Sequence, residues 1–314
     1  MASRILFIDS THPILSEMLQ EHGFEVDYFP ELSKEDYLPL LPDYFGMIIR
    51  SKFKLDKDFL DRAVNLKFIA RQGAGMENID TDYAASRGIL CLNSPEGNRD
   101  ALGEHATGML LSLFNHLCRA DQQVRQGIWD REGNRGLEIK GKTIAIIGYG
   151  NMGSAFAQRL KGFECSIIAY DKYKSGFGND LVEEVGMEEV FSRADVLSLH
   201  VPLTNETSYL IDKNFINKFH KNIYLVNTAR GKNVKTDDLV YALKTGKIKA
   251  AALDVLEYED TSFEELHADR PPALDYLVKA DNVLLSPHIA GFSAESKIKL
   301  ARFLGEKIIK AFKP

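Results

Sequence analysis

Cysteine is scarce in these 314 residues: Cys91, Cys118 and Cys165 are the full set. They are few, odd in number and without metal-ligand spacing, so they read as buried thiols in a reducing, cytoplasmic setting. No apolar run approaches the ~20 residues that a bilayer-spanning helix needs. The opening stretch enters a strand at Ile5–Ile8 without a basic region or long apolar run, so no secretory leader is expected. Neither sign of charge dominates. The 39 Lys and Arg against 45 Asp and Glu leave a net charge of −6. That balance argues against generic binding of nucleic acid or acidic membrane, while local basic clusters remain able to hold a small anion. Periodic repeats, low-complexity runs and Gly/Ser linkers are also missing. What remains is a chain with 45% hydrophobic residues, long enough for two domains with substantial cores.

The most informative segment is 144–171. Ile144, Ala145, Ile146 and Ile147 form an apolar run of strand type, and Gly148-Tyr149-Gly150-Asn151-Met152-Gly153 follows at once. Ser154–Lys161 then has helical character, and Cys165–Tyr170 reads as a second strand ending on Asp171. A strand, a Gly-x-Gly-x-x-Gly turn, a helix and an acid at the next strand tip make the dinucleotide fingerprint. Gly148 permits the tight turn, Gly150 lets the backbone approach a pyrophosphate, and Gly153 permits close helix–strand packing. The helix start offers unpaired N–H groups and a positive dipole end to phosphates. Asp171 accepts from both adenosine ribose hydroxyls, and a 2′-phosphate there would meet a negative charge, so NAD is favoured over NADP. Candidate cofactor contacts are therefore Gly148, Gly150, Asn151, Met152, Gly153 and Asp171, with Thr228 further on.

Around this segment, strands alternate with helices. The first hundred residues predict strands at Ile5–Ile8, Glu25–Tyr28, Met47–Ile49, Lys67–Ala70 and Ile89–Leu92. Their first helix starts near Pro13 and stops at Gly23, and Asp80 caps a helix ending at Gly88. A second series predicts six strands, Ile144–Ile147, Ser166–Tyr170, Val196–Leu199, Tyr224–Val226, Ala250–Leu253 and Val283–Leu285, which suit a complete dinucleotide domain. The fold class is α/β, with two doubly wound parallel-sheet domains. Asp100–Arg125 reads as one long connecting helix with an apolar face of Leu102, Met109, Leu110, Leu113 and Leu117. Leu111 and Phe114 widen that stripe, which suits either a partner subunit or burial within one subunit. The tail Ser293–Phe312 predicts an amphipathic helix returning to the first domain. The resulting boundaries are 1–99 with 290–314, and 100–289.

Three further segments carry chemistry: Asn227-Thr228-Ala229-Arg230-Gly231, Leu253-Asp254-Val255-Leu256-Glu257-Tyr258-Glu259, and Ser286-Pro287-His288-Ile289-Ala290-Gly291. Each lies at or just past the carboxyl end of a predicted strand, the edge that faces the ligand crevice in open α/β sheets. Hydride transfer to a ketone asks the protein to orient the substrate, polarise its carbonyl and move a proton. Arg230 forks onto a carboxylate and stabilises a developing alkoxide. His288 carries the proton, since imidazole changes charge close to working pH. Glu259 orients the ring. Taken one at a time, each of these residues also fits a surface ion pair or a satisfied loop group.

On these motifs, the sequence resembles the D-isomer-specific 2-hydroxyacid dehydrogenases over nearly its whole length. Arg71-Gln72-Gly73-Ala74-Gly75-Met76-Glu77-Asn78-Ile79-Asp80 adds to the resemblance. It implies a flavodoxin-like substrate domain and a Rossmann NAD-binding domain. It also implies that Arg230 holds the substrate carboxylate, Glu259 assists His288 as the acid–base, and Asp254 binds the nicotinamide carboxamide. Gly73, Ala74 and Gly75 offer backbone amides to the substrate carboxylate, a role that also suits an anion-binding nest. The sequence departs from the family pattern in three places. Glu77 stands where the family usually has Asp, Asp260 stands where it usually has Pro, and Thr261–Tyr276 reads as a variant loop. Glu257 therefore stays open as a rival to Glu259.

Extra guanidinium groups bear on the substrate. Arg50 and Ser51 end one predicted strand, Arg71 ends another, and Arg131 follows Trp129 in the loop after the long helix. A substrate with one carboxylate needs only Arg230 and the loop amides, so the surplus points to a second anion, most simply a phosphate. Similarity to 3-phosphoglycerate dehydrogenases implies oxidation of 3-phosphoglycerate to 3-phosphohydroxypyruvate in serine synthesis, without the regulatory domain of longer relatives. The alternatives are a glyoxylate or hydroxypyruvate reductase and, from another class, an NAD-sensing corepressor-like scaffold. Neither nucleic-acid nor membrane partners are expected. A homodimer through the 100–125 region is.

Overall fold

The computed structural model describes residues 3–259 and 271–312. They form two compact units, 3–99 with 292–312 and 100–259 with 271–291. Each unit is built on one parallel sheet. The first sheet contains β1 (Arg4–Phe7), β2 (Glu25–Tyr28), β3 (Gly46–Ile49), β4 (Phe68–Arg71) and β5 (Leu90–Asn93) in the order β2-β1-β3-β4-β5. This is the flavodoxin-like doubly wound order. The second contains β6 (Thr143–Ile147), β7 (Ser166–Tyr170), β8 (Glu183–Glu184), β9 (Val196–Leu199), β10 (Ile223–Asn227), β11 (Ile248–Leu253) and β12 (Val283–Leu285). Its order is β12-β11-β10-β9-β6-β7-β8, with the switch of direction between β6 and β9.

The inner strands, such as β3, β6 and β9, read as continuous apolar runs because helices cover both sheet faces. Side chains alternate between the two layers they fill. Leu6, Met47 and Ile49 enter one core of the first unit, while Ile5, Phe7 and Ile48 enter the other. In the second unit Ala145 and Ile147 face one layer, Ile144 and Ile146 the opposite one. The helix Ala294–Phe312 buries Ala301, Leu304 and Ile308 completely in the first unit's core. Full burial of a leucine or isoleucine contributes about 1.5–3 kcal/mol, enough to hold the chain's last helix there.

Local signals act as the sequence implies. The helix Pro13–Glu21 ends two residues before Gly23, whose φ is +84°. Asp80 caps Thr81–Ser86 by accepting from the Tyr83 amide at 3.0 Å. Four details differ. The long helix breaks into Arg99–Phe114 and Leu117–Arg125, because His116 takes a left-handed φ of +52° between them. Leu117 consequently leaves the buried stripe and is exposed, whereas Phe114 is buried. Cys118, on the second piece, is exposed, and Cys91 and Cys165 are only partly buried, so the thiols are not uniformly internal. A seventh strand, Glu183–Glu184, extends the second sheet, too short and too acidic to carry a periodic signal. Finally, Pro272–Lys279 is an amphipathic helix rather than loop, while Asp260 and 261–270 lie outside the described residues. Among the described residues, no helix is long and apolar enough to cross a membrane.

His200 follows β9 and packs its ring 5.4 Å from that of Phe156. Its Nε2 pairs with Ser198 Oγ at 2.8 Å, and its buried Nδ1 has no partner among the described residues. Burial pushes the imidazole down to about 3, so it stays neutral in the folded protein. The unfolded chain binds that proton near the ordinary histidine value of about 6.5, so stability is lost as pH falls through the window between the two values. Replacing His200 by Gln removes this contribution. The stability advantage of wild type over His200→Gln, measured by urea unfolding, should shrink by roughly 1–2 kcal/mol between about pH 7 and about pH 5. An advantage that is equal at both pH values contradicts the assignment.

Candidate active site

The second unit brings the fingerprint together at the carboxyl end of β6. Gly148 has φ +92°, and a side chain there would meet the His200 carbonyl oxygen at 2.6 Å. Gly153 lies so close to the turn that a Cβ would stand 2.1 Å from the Gly148 carbonyl oxygen. The helix Asn151–Arg159, with Met152 in its first turn, starts from Gly150, which has open space where a side chain would project. The amides of its first three residues, at the sheet's switch point, have no acceptor among the described residues, the arrangement that receives a phosphate. Asp171 stands at the tip of β7. One carboxylate oxygen accepts from the Tyr149 amide at 2.8 Å, and the other from Tyr173 and Lys174 at 2.9 and 3.1 Å. Thr228, past β10, has a buried hydroxyl oxygen with no partner among the described residues. An anion cradle, a fixed acceptor and an unsatisfied buried hydroxyl along one edge fit a dinucleotide.

Arg230, Glu259 and His288 follow β10, β11 and β12, three adjacent parallel strands. The first two loops touch, since a Cβ on Gly231 would lie 1.9 Å from the Leu256 carbonyl oxygen. Arg230 is shaped by its neighbours. Its amide donates to Asn233 Oδ1 at 3.0 Å, and its guanidinium donates to the Ala229 carbonyl at 2.7 Å. Asn227 donates to the Arg230 carbonyl at 3.0 Å and accepts from the Ala229 amide at 3.0 Å. Glu259 Oε1 accepts from the Leu256 amide, and its Oε2 meets His288 Nδ1 at 2.7 Å. Both side chains are largely buried, at 13% and 24% exposure, which limits screening of the pair.

Glu257 is occupied elsewhere. It accepts from the Tyr209 hydroxyl at 2.7 Å and from the Thr236 amide at 3.0 Å, tying its loop to the helix Thr236–Thr245. The pairing with His288 therefore falls to Glu259.

His288 adopts a left-handed φ of +55°, which costs a non-glycine residue of the order of 1–3 kcal/mol. Asp254 holds it there. That residue is buried, and its carboxylate accepts from the amides of Ile289 and Ala290 at 2.9 and 2.8 Å and from the Ser286 hydroxyl at 2.6 Å. Its carbonyl accepts from the His288 amide at 2.7 Å. Hydrogen bonds to a charged group typically contribute about 1.5–3 kcal/mol each, so the set outweighs the strain.

The first unit groups its candidates at the carboxyl edge of its own sheet. Asp9, past β1, was not singled out in sequence. Its carboxylate accepts from the amides of Arg50, Ser51 and Lys52 at 2.8, 2.9 and 3.0 Å. The Arg50 guanidinium reaches Ser10 Oγ at 3.5 Å and pairs with no carboxylate among the described residues. Arg71 is buried and donates from Nε to the Arg50 carbonyl at 2.9 Å. Next to it run Gly73, Ala74 and Gly75, with Asn93 donating to the Ala74 carbonyl at 2.6 Å. The amides of Ala74 and Gly75 have no acceptor among the described residues. Arg131 is exposed, two residues beyond Trp129 at 79% exposure.

Residues 107–290, more than half of the chain, match the family model described as D-isomer specific 2-hydroxyacid dehydrogenase, NAD binding domain. The chain belongs to this family of oxidoreductases. A D-3-phosphoglycerate dehydrogenase from Archaeoglobus fulgidus is 36% identical over 298 residues, which are 93% of this chain and 54% of that protein. A hydroxypyruvate reductase from Thermotoga maritima is 36% identical over 280 residues, 89% of this chain and 88% of that protein. The chain spans about half the length of the D-3-phosphoglycerate dehydrogenases it matches. A solved glyoxylate reductase from Paecilomyes thermophila shares the fold, with a TM-score of 0.87 at 24% identity over 99% of this chain and 95% of that one.

Proposed function

We propose that this protein is an NAD-dependent D-2-hydroxyacid dehydrogenase. The observation that carries the reading is the His288–Glu259 contact of 2.7 Å, formed beside the Arg230 loop on adjacent strand ends. When bound, the nicotinamide supplies or accepts the hydride. Thr228 and Asp254 line its end of the edge, and Asn151, Met152 and the glycines cradle the pyrophosphate. Asp171 accepts from the adenosine ribose and disfavours NADP. Arg230 receives the substrate carboxylate and draws electron density from the carbonyl. Glu259 takes up His288 Nδ1, so Nε2 exchanges the proton with the substrate oxygen, giving it in reduction and taking it in oxidation. The two units serve as a substrate domain and an NAD-binding domain.

The substrate we favour is 3-phosphoglycerate, oxidised to 3-phosphohydroxypyruvate on the way to serine. Support comes from the Arg50 guanidinium, which has no carboxylate partner among the described residues, and from the neighbouring Ser51 and the amides of 74 and 75. One observation favours the second reading, a glyoxylate or hydroxypyruvate reductase. Arg71 commits its Nε to the main chain, and Asp9 fills the amides of 50–52, which removes donors from a phosphate.

We also propose a homodimer through the 100–125 region, continued by the exposed stretch that follows it. Leu117, Val124, Ile128, Trp129 and Leu137 are all exposed, an apolar concentration that marks an interaction surface.

A panel of phosphohydroxypyruvate, hydroxypyruvate, glyoxylate and pyruvate with NADH and with NADPH tests the enzyme. The highest kcat/KM is expected for NADH with the phosphorylated acid. Arg50→Ala should lower that value by about 10–100-fold while changing hydroxypyruvate little, as loss of one charge-assisted contact requires. An unchanged preference transfers the assignment to the plain-acid reductase. Sedimentation equilibrium should show a dimer that Trp129→Glu dissociates to monomers, and a wild-type monomer contradicts the assembly.

A further inference from the structure

The helix Arg99–Phe114 carries a histidine that the chemistry above does not use. His105 Nε2 lies 3.1 Å from Ser286 Oγ. The serine hydroxyl has a single hydrogen, and Oγ stands 2.6 Å from Asp254 Oδ1, so that hydrogen goes to the carboxylate. Oγ must then accept, which fixes the proton of His105 on Nε2. The same Nε2 is 3.6 Å from Asp254 Oδ1, adding attraction whenever the ring is charged. Asp254 in turn accepts the amides of Ile289 and Ala290, which flank the left-handed His288.

We infer that His105 is a positioning residue for the reaction, acting through Ser286 and Asp254 on the backbone that presents His288. The inference rests on the reading of His288 as proton carrier. A buried carboxylate needs its donors, and a chain of hydrogen bonds polarises each member. Without His105, the serine oxygen loses its donor and the hydroxyl is no longer aimed. Without Ser286, the Asp254 carboxylate loses one of its three donors and its grip on 289 and 290 slackens. The helix's buried face is made mainly by Leu102, Ala106, Met109, Leu110 and Leu113. His105 keeps a quarter of its side chain exposed, so its loss is read first at the 286–290 loop it touches through Ser286.

The test compares wild type with Ser286→Ala, His105→Phe, their double variant, and the conservative Ser286→Thr and His105→Gln. The first readout is amide hydrogen exchange at His288, Ile289 and Ala290, with the β6 amides as internal reference. Ser286→Ala and His105→Phe should each speed exchange at 288–290 by about tenfold or more and leave β6 unchanged, as local loosening requires. The same variants should lower kcat by about tenfold while KM and NADH affinity move less than about threefold, the pattern of a group needed in the transition state. Ser286→Thr and His105→Gln should recover most of the loss. The double variant should be no worse than Ser286→Ala, because the two act in one chain. Unchanged exchange at 288–290, or additive effects in the double variant, overturns the inference. If wild type itself shows no NADH-linked turnover, the dehydrogenase reading falls, while the exchange rates still decide whether His105 holds the loop.

Discussion

A carboxylate taken out of water must be met by donors, and Asp254 meets that demand with the loop that follows β12. The rest of the site is arranged around this requirement. The loop amides turn inward to reach the carboxylate, the backbone at His288 is forced left-handed, and the imidazole is delivered to Glu259. Parallel β10, β11 and β12 make this possible, because they place the Arg230, Glu259 and His288 loops side by side at one sheet edge. Gly231 adds the close approach that a side chain would forbid.

The two units share one design. In each, helices seal both faces of a parallel sheet, so polar work is confined to the strand ends. The second unit sets a glycine turn and a helix start at its strand ends, with the Asp171 carboxylate fixed beside them by the Tyr149 amide. The first uses Asp9 to brace the loop that presents Arg50, and leaves the amides of 74 and 75 without a protein acceptor among the described residues. Relatives named for phosphorylated and for plain acids match the chain at the same 36% identity, so overall likeness does not choose between the two substrate classes.

Much of this architecture is legible in the sequence, for a physical reason. Strands buried on both faces must be apolar throughout, so Ile144–Ile147 or Val196–Leu199 stand out, and ligand loops must follow them. The dinucleotide turn is legible because Gly148 and Gly153 leave no room for a side chain and Gly150 keeps the space at the helix start open. Other features leave no such trace. The helix break rests on a left-handed histidine at 116, a conformation without a residue signature of its own. The two residues of β8 are too few for periodicity. Asp9 and His105 act across long sequence separations, on three backbone amides and a serine hydroxyl, which no spacing rule detects. Glu257 and Glu259 lie two residues apart, and only the contacts in three dimensions assign one to scaffold and the other to His288.

The proposed chemistry depends on the imidazole of His288 as the group that moves the proton. The most direct measurement is steady-state turnover of His288→Asn alongside its NADH affinity by fluorescence titration. Turnover should fall by about 10²–10⁴ with NADH bound as tightly as by wild type, the loss typical of a missing acid–base group. A variant that keeps near-normal kcat would place the proton carrier elsewhere and contradict the account.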